Sequence, residues 1–382
     1  MSESIVRLEA ADYKDAVAFL NFVFSEHYPI DFPTTLPKLY KPTDELMSMN
    51  FAVKRDSKIR AIVGLYPLEL HIGQVVLKLG AIGAVSTHPN DRGLGYMQRL
   101  MTHCVQVMKS ASYDLSWLGG QRQRYGFFGY EVCGSKLLFM LTKKNIQRCY
   151  NNVPEFQFEK IIRADDKRIE TMKVWHETLL IHCSRPLGRF YDVLQSWEHD
   201  LFAVLDKAGV LVGYLSADVH RGIIFEAAAR ENSLLMDMIP AWVAFQEQDK
   251  VVFETAPLPS FLVSELMRIC ESSTVQPCGN WQIYNWQRVV ETTLQIKHQF
   301  MTLPDGSFCL DIQGYGRIEL HVSGDAAFCR HSIKEPDFSC DPQTAMRLLF
   351  GPFPAVMSGQ INNPVLNGWC PLPLYLPKQD EV

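Results

Sequence analysis

The chain has 382 residues, two to three times the usual length of one domain, so several packed cores are expected. Hydrophobic residues make up 47% and charged residues 21%, and no segment approaches the ~18 consecutive apolar residues of a membrane span, which excludes a helical membrane protein. The net charge of −5, without a Lys/Arg cluster longer than two, excludes nucleic acid as the expected partner.

The N-terminal residues indicate the cellular location, and the cysteine pattern indicates whether a metal is bound. The first residues are acidic where a secretory signal would carry positive charge, so a cytoplasmic location is expected. Ten cysteines are scattered without a CxxC pair or a zinc-type histidine pattern. We therefore expect reduced, mostly buried thiols and no metal site.

The first elements in chain order predict a mixed unit of strands and helices. A helix that Asp12 can cap runs to Phe24, and a proline-rich loop follows over 25–37. An apolar stripe from Met97 to Met108 at 3.6-residue spacing predicts an amphipathic helix. The first three predicted strands form an antiparallel meander. The strands of this unit are 49–54, 59–70, 74–87, 113–118 and 130–141.

A second unit repeats this order without residue-level identity to the first. Helices are predicted over 169–183, 233–246 and 260–270, and a hairpin over 201–217 turns at Lys207-Ala208-Gly209. The remaining strands of the unit are 222–229 and 251–254. The last 95 residues differ again: strands 308–313, 317–322 and 326–331 precede a helix that Asp341 can cap, and an apolar tail predicted to be docked ends the sequence.

The segment from Gly80 to Met101 has the features of a phosphate site. It reads GAIGAVSTHPNDRGLGYMQRLM, in which Pro89 ends a strand and the turn 92–95 leads directly into the amphipathic helix. Two glycines permit close backbone approach, successive N–H groups form a nest, and the helix dipole favours an anion. The preceding antiparallel meander and the lack of GxGxxG argue against a nicotinamide site, and the lack of Gly-Lys-Ser/Thr argues against a P-loop.

This segment resembles the acetyl-CoA motif of the GCN5-related N-acetyltransferases (GNAT), Gln/Arg-x-x-Gly-x-Gly/Ala at the start of a helix. The pattern falls on Arg92, Gly95 and Met97, so the last position departs from it. The later run RYGFFGYE, 124–131, resembles the tyrosine-containing motif of the same family. The two motifs cover about the first 150 residues.

The whole chain is similar to the Eis-like (enhanced intracellular survival) subgroup, which joins two acetyltransferase folds to a sterol-carrier-like domain. The resemblance implies an α/β (α+β) fold class, with two tandem GNAT-like mixed-sheet domains followed by a sterol-carrier-like α+β domain. The expected domains are 1–150, catalytic and binding acetyl-CoA, 151–287, a degenerate GNAT-like domain, and 288–382, sterol-carrier-like. The resemblance to this subgroup also implies a homo-oligomer.

The same resemblance implies which residues contact acetyl-CoA. Main-chain groups of the strand end and of the turn into the helix are expected to bind it, with two weaker candidates ahead of the tyrosine motif. They are Val85, Ser86, Thr87, Arg92, Gly93, Leu94, Gly95, Tyr96, Met97, Gln98, Gly120 and Gln121.

Acetyl transfer to an amine requires a base, a polarised carbonyl and an acid for the departing thiolate. Tyr125 matches the family's general acid, and the subgroup's use of its C-terminal carboxylate as base implies Val382. Main-chain N–H groups near Val85 would polarise the carbonyl where a strand distortion frees them. Glu26 and Asp31, in the proline-rich loop, are candidate contacts for a cationic amine.

Two nearby residues are expected to be structural. His88 is interpreted as a packing or capping residue at the strand end, and Cys104 lies on the buried stripe of the helix, which argues against an acetyl-cysteine route.

The sequence does not identify the acceptor amine, and it leaves alternative functional classes open. An aminoglycoside, a polyamine or a lysine-type amine would each suit an acetyltransferase. A non-catalytic acyl-CoA sensor, or a carrier that binds an apolar ligand in the C-terminal domain, is the alternative class. A third hypothesis is an aminoacyl- or long-acyl transferase, which would need a larger acyl pocket.

Overall fold

The computed structural model describes residues 4–26, 29–359 and 361–382. Over these residues the chain forms three sheets with helices on their faces, which confirms the mixed α/β class. The strands are β1 (Ile5–Arg7), β2 (Asn50–Arg55), β3 (Lys58–Ile72), β4 (Val75–Thr87), β5 (Leu115–Leu118), β6 (Glu131–Val132), β7 (Ser135–Thr142), β8 (Gln157–Ile161), β9 (Ile181–Cys183), β10 (Asp200–Leu205), β11 (Leu211–Asp218), β12 (Ile223–Ala229), β13 (Lys250–Thr255), β14 (Ser272–Pro277), β15 (Asn280–Ile283), β16 (Gly306–Ile312), β17 (Gly316–Ser323), β18 (Ala326–His331) and β19 (Phe338–Cys340).

Most of the helices are short, and the longest have 15 residues. Single 3₁₀ turns lie at Pro89–Asp91, Ser196–Glu198 and Lys378–Asp380, among others. The α-helices are α1 (Tyr13–Phe24), α2 (Phe32–Thr35), α3 (Asp44–Met47), α4 (Tyr96–Ser110), α5 (Arg122–Tyr125), α6 (Lys143–Cys149), α7 (Arg168–His176), α8 (Leu187–Gln195), α9 (Leu235–Phe245), α10 (Phe261–Ile269), α11 (Trp286–Phe300), α12 (Pro342–Phe350), α13 (Ala355–Gly359) and α14 (Pro364–Trp369).

The first two sheets have the same construction. The first has the strand order β1-β2-β3-β4-β5-β15-β6, with β9 also pairing β3, and the second the order β14-β7-β13-β12-β11-β10-β8. In each, antiparallel strands lead to one parallel pair, β4 with β5 and β12 with β13. The predicted meander of β2, β3 and β4 and the hairpin of β10 and β11 are confirmed.

The predicted strand 130–141 divides between the two sheets, and this corrects its place in the first unit. β6 stays in the first sheet, whereas β7 pairs with β13 and β14 of the second. The break falls at Gly134, which has φ +67° and donates its N–H to the Phe350 carbonyl. In exchange, β15, which comes later in the sequence, lies in the first sheet between β5 and β6. The two halves therefore share strands, and the domain boundaries stay a prediction.

The predicted helix 169–183 is wrong beyond His176. α7 ends there, and the following residues turn back so that β9 pairs with the end of β3. The long β3 offers unpaired backbone groups at that edge, and pairing satisfies them better than an isolated helical turn would. The sequence also missed α8 and α11, although α11 buries seven residues against the C-terminal region.

The C-terminal region contains the third sheet, of strand order β18-β17-β16-β19, packed against α11. Asp341 caps α12 as predicted, because its side chain accepts the Thr344 N–H. Leu372, Leu374 and Leu376 are fully buried in the same core as the first sheet. The apolar tail is thus docked, while the sterol-carrier resemblance of this region stays a prediction.

Candidate active site

A β-bulge interrupts β4 at its C-terminal end. Ala84 and Val85 lie opposite Val63 alone, since the register runs from Ile62–Ser86 directly to Gly64–Gly83. Ala84 has φ +54°, which is unusual for a residue with a side chain. A bulge leaves local ladder groups unpaired, which is what a main-chain carbonyl-polarising site near Val85 requires.

The turn into α4 is open and exposed. Gly93 and Gly95 have φ +86° and +78°, and a Cβ on either would meet nothing within 4 Å. Arg92 and Leu94 are likewise exposed, whereas Tyr96 is buried beneath the first helical turn. The backbone at the N-terminus of a 15-residue helix is therefore accessible to an anion such as a pyrophosphate.

A buried carboxylate holds this turn in place. Asp91 is 1% exposed and pairs with Arg55 at 2.7 Å and Arg60 at 3.3 Å, both on the neighbouring strands. His88 caps the preceding 3₁₀ turn by accepting the Asn90 N–H, as predicted for a structural residue. Asp91 was missed by the sequence analysis, although it lies inside the motif.

The sheet opens beside the bulge. β4 and β5 pair in parallel only as far as Ile82 and Leu118, and β4 then continues for five residues without β5. Gly120, with φ +106°, turns the chain after β5, and Asn280 of β15 donates to its carbonyl at 3.1 Å. Of the other predicted cofactor residues, Ser86 is buried, Val85, Thr87 and Met97 are half-buried, and Gln98 and Gln121 are exposed. That these residues bind one cofactor stays a prediction.

Tyr125 lies at the end of α5, beside Gly120. Its ring is 3.0 Å from the position that a Cβ on Gly120 would occupy, and it packs in the cluster that contains Tyr96 and Leu118. Burial raises the pKa of Tyr125 above its usual range, and Arg124 opposes this shift. Its phenol therefore keeps its proton at neutral pH, as a general acid must.

Val382, the last residue of the sequence, reaches the bulge. Its carboxyl carbon lies 3.0 Å from the position of a Cβ on Gly83, directly before Ala84. Tyr66 packs on the other side, its ring 3.3 Å from the same position. A buried network fixes Tyr66, whose hydroxyl donates to Asn50 Oδ1 at 2.9 Å and pairs with the Tyr40 hydroxyl at 2.9 Å.

The segment before Val382 is clamped by its main chain. The Nζ of Lys38, which is buried, donates to the carbonyls of Gln379 and Glu381, the latter at 2.6 Å. Trp197 Nε1 also donates to Glu381 O, at 3.2 Å. Trp197 and its neighbour Glu198 both have positive φ, which indicates that the surrounding contacts over-determine this loop.

A buried ion network links the same segment to the second sheet. Arg185, after β9, pairs with Asp380 at 2.7 Å and with Glu226 of β12 at 2.7 Å. Burial raises the pKa of Glu226, but Arg185 and His176 outweigh it and hold that pKa well below its usual range. No sequence signal pointed to Lys38, Trp197 or Arg185, because their partners in the C-terminal tail are at least 180 positions further along the chain.

The two predicted acidic substrate contacts differ in their surroundings. Glu26 is half exposed and pairs with Arg92 of the phosphate turn at 2.9 Å. Asp31 caps α2 and accepts hydrogen bonds from Asn21 and Thr34. Glu26 therefore lies beside the turn into α4, whereas the Asp31 carboxylate is already hydrogen-bonded to α1 and to its own turn.

The cysteine on helix α4 is buried. None of the ten cysteines forms a disulfide; Cys149 is exposed and Cys270 half-buried, and the others, Cys104 among them, are buried. Burial raises the pKa of Cys104 to about 12, which disfavours its thiolate. Among the described residues, no group of His, Cys, Asp and Glu could hold a metal ion. In the same part of the chain, every helix is too short or too polar to cross a bilayer.

Comparisons with known proteins agree with this geometry. A family model described as an acetyltransferase (GNAT) domain matches residues 4–133, and no curated protein matches the sequence. Similar structures include a probable N-acyltransferase of unknown function from Enterococcus faecalis V583 (TM-score 0.70, 14% identity, 100% of both chains) and a GCN5-related N-acetyltransferase from Kribbella flavida (0.70, 14%, 100% of this chain and 98% of that one). Eis1 from Mycobacterium abscessus has a TM-score of 0.63 at 11% identity over 97% of each chain.

At these identities the structural likeness shows the fold, and it extends over nearly the whole chain. The family match covers the bulge, the phosphate turn and Tyr125. Residues 4–133 therefore match an acetyltransferase (GNAT) domain.

Proposed function

We propose that the protein moves an acetyl group from acetyl-CoA to a primary amine in the cleft beside the β4 bulge. The observation that carries the proposal is the contact of the Val382 carboxyl group with Gly83, at the bulge of the GNAT domain. The pyrophosphate would bind at the turn 92–95, and the thioester carbonyl would accept from N–H groups freed near Val85.

In the proposed reaction the amine nitrogen attacks the thioester carbon, and the carbon–sulfur bond then breaks. The electron pair of that bond goes to sulfur, which takes its proton from the Tyr125 hydroxyl. The amine loses its proton to the Val382 carboxylate. The products are the amide and CoA, and proton exchange with solvent restores both groups.

The proposed class of acceptor amine is inferred from the charge of Glu26. Glu26 stands at the edge of the cleft, so a cationic amine such as a polyamine, an aminoglycoside or a lysine side chain would meet a carboxylate there. An acyl-CoA phosphate would compete with Glu26 for Arg92.

The test is acetyl-CoA consumption with release of free CoA, measured against these three amine classes. Mass spectrometry of the purified protein first verifies that Val382 is its terminal residue. Addition of one alanine after Val382 moves the carboxylate and is expected to lower kcat by about 10²-fold, with CoA binding retained. Unchanged turnover of the extended chain would reject the carboxylate as base, and CoA binding without turnover on any amine would favour an acyl-CoA sensor.

A further inference from the structure

The second sheet contains a cleft built like that of the first. β12 and β13 pair in parallel only at Ile223–Val252 and Ile224–Phe253, and the two strands then separate. β12 also has a bulge, since the register against β11 moves from Ala217–Ile224 to Ser216–Glu226 and leaves Phe225 as the extra residue. A splayed parallel pair with a bulge on one strand is the arrangement found at β4 and β5.

A cavity of about 360 Å³ occupies this opening, within the size range of small-molecule sites. Its walls come from β12, β13, the starts of α9 and α10, and the tail residues Tyr375 and Pro377. Its rim is apolar and open to solvent, with Phe261 68%, Leu180 40% and Phe300 36% exposed. Such a rim favours the apolar part of a ligand.

This cleft does not suit a nucleotide. The residues before α9 read Glu231-Asn232-Ser233-Leu234, without the glycines that open the phosphate turn of the first unit. Asp237 adds a carboxylate in the first turn of α9. Both features oppose a pyrophosphate.

Glu254, in the wall of the cavity, has an unused hydrogen-bonding atom. The residue is 3% exposed, and its Oε2 accepts from Lys136 Nζ at 2.7 Å, while Oε1 is buried without a partner among the described residues. The other lining carboxylate, Glu226, is already paired with Arg185 through both oxygens. A buried acceptor without a donor is costly, so a ligand that donates to Oε1 gains affinity.

We propose that the cleft between β12 and β13 binds a small molecule with an apolar body and a protonated primary amine, whose ammonium donates to Glu254 Oε1. Among the described residues, the charged side chains in the cavity wall are the two carboxylates, and only Glu254 has an oxygen without a donor, which favours a cationic donor over an anion. This amine site lies on the second sheet and is separate from the acceptor position proposed beside β4.

The experiment is photoaffinity labelling of the full chain with a trifluoromethyl-diazirinyl benzylamine, mapped by peptide mass spectrometry. Labels are expected within 178–181 and 253–262. Glu254→Gln is expected to reduce them by about tenfold at sub-saturating probe, and the exposed control Glu271→Gln to leave them unchanged. Ala256→Phe fills the cavity without removing a charge and is expected to abolish them.

Labelling at these peptides that survives both Glu254→Gln and Ala256→Phe would overturn the site, as would labelling confined to the first-sheet cleft. Equal labelling by the corresponding benzyl alcohol or benzoic acid would overturn the amine class. Tyr125→Phe, which is expected to abolish acetyl transfer, should leave the labels unchanged. Loss of the proposed reaction and loss of this site are therefore distinguishable.

Discussion

Gly83 and Val382 are in contact although 299 positions separate them. The Val382 carboxyl carbon is 3.0 Å from the site of a Cβ on Gly83, a distance tighter than most real Cβ contacts, so a side chain there would have to push Val382 aside. The bulge begins at the next residue, Ala84. The terminal carboxyl group therefore lies beside the position proposed for the acetyl carbonyl.

Gly83→Ala is expected to displace the Val382 carboxylate by a few tenths of an ångström and to lower kcat by about tenfold, since a full 1 Å misplacement of a catalytic group can cost about 10²-fold. Acetyl-CoA affinity should stay unchanged. The control is Gly188→Ala, in α8, where a Cβ meets nothing within 4 Å. Steady-state kinetics with isothermal titration of CoA provides both quantities, and an active Gly83→Ala enzyme would contradict the placement of the base.

Tyr125→Phe is expected to lower kcat by roughly 10²- to 10⁴-fold with little change in KM, because the phenol would supply the proton only at the transition state. Since burial raises the pKa of Tyr125, the loss of activity at high pH should begin at a higher pH than that at which an exposed tyrosine ionises. Tyr150→Phe, whose hydroxyl donates to Met236 O in the second unit, is the control. Retention of full activity in the Tyr125 variant would remove it from the mechanism.

Gly95→Ala is expected to weaken CoA binding by about tenfold, because alanine at φ +78° costs roughly 1–2 kcal/mol and reorients the N–H groups of the turn. Gly209→Ala is the matched control, with φ +77° and equally open surroundings in the β10–β11 hairpin. Both variants should lose similar stability in urea. If both bind CoA as the wild type does, the turn does not hold the pyrophosphate.

Lys38 is expected to make stability rise with pH above neutrality. Burial, partly offset by Asp380, lowers the pKa of Lys38 to about 7. Between that pH and the unfolded-state pKa near 10.4 the unfolded chain binds more protons, so the free energy of unfolding increases with pH. From pH 7 to pH 9 the wild type should gain about 2 kcal/mol relative to Lys38→Met.

Urea unfolding at the two pH values measures this difference. Lys207→Met, an exposed lysine in the hairpin turn, should show the same pH dependence as the wild type. A Lys38→Met protein whose stability changes with pH just as the wild type's does would show that Lys38 titrates normally in the native state.

The sequence alone predicted the elements that depend on local patterns. The meander β2–β4, helix α4 and the open turn at Gly93 and Gly95 follow from period, proline and glycine placement within windows of about 20 residues. The motif likewise singled out Tyr125, which lies beside Gly120. These features depend on neighbours in the chain, so their signals are local.

The tertiary structure alone decided the strand exchange of β7 and β15, the clamp of Lys38 and Trp197 on the tail, and the second cleft at Glu254. Each joins residues that are more than 100 positions apart, so no window of sequence contains both partners. Lysine and glutamate are usually surface residues, so residue type predicts that they are exposed. Only the packing around such a residue shows that it is buried and which groups it contacts.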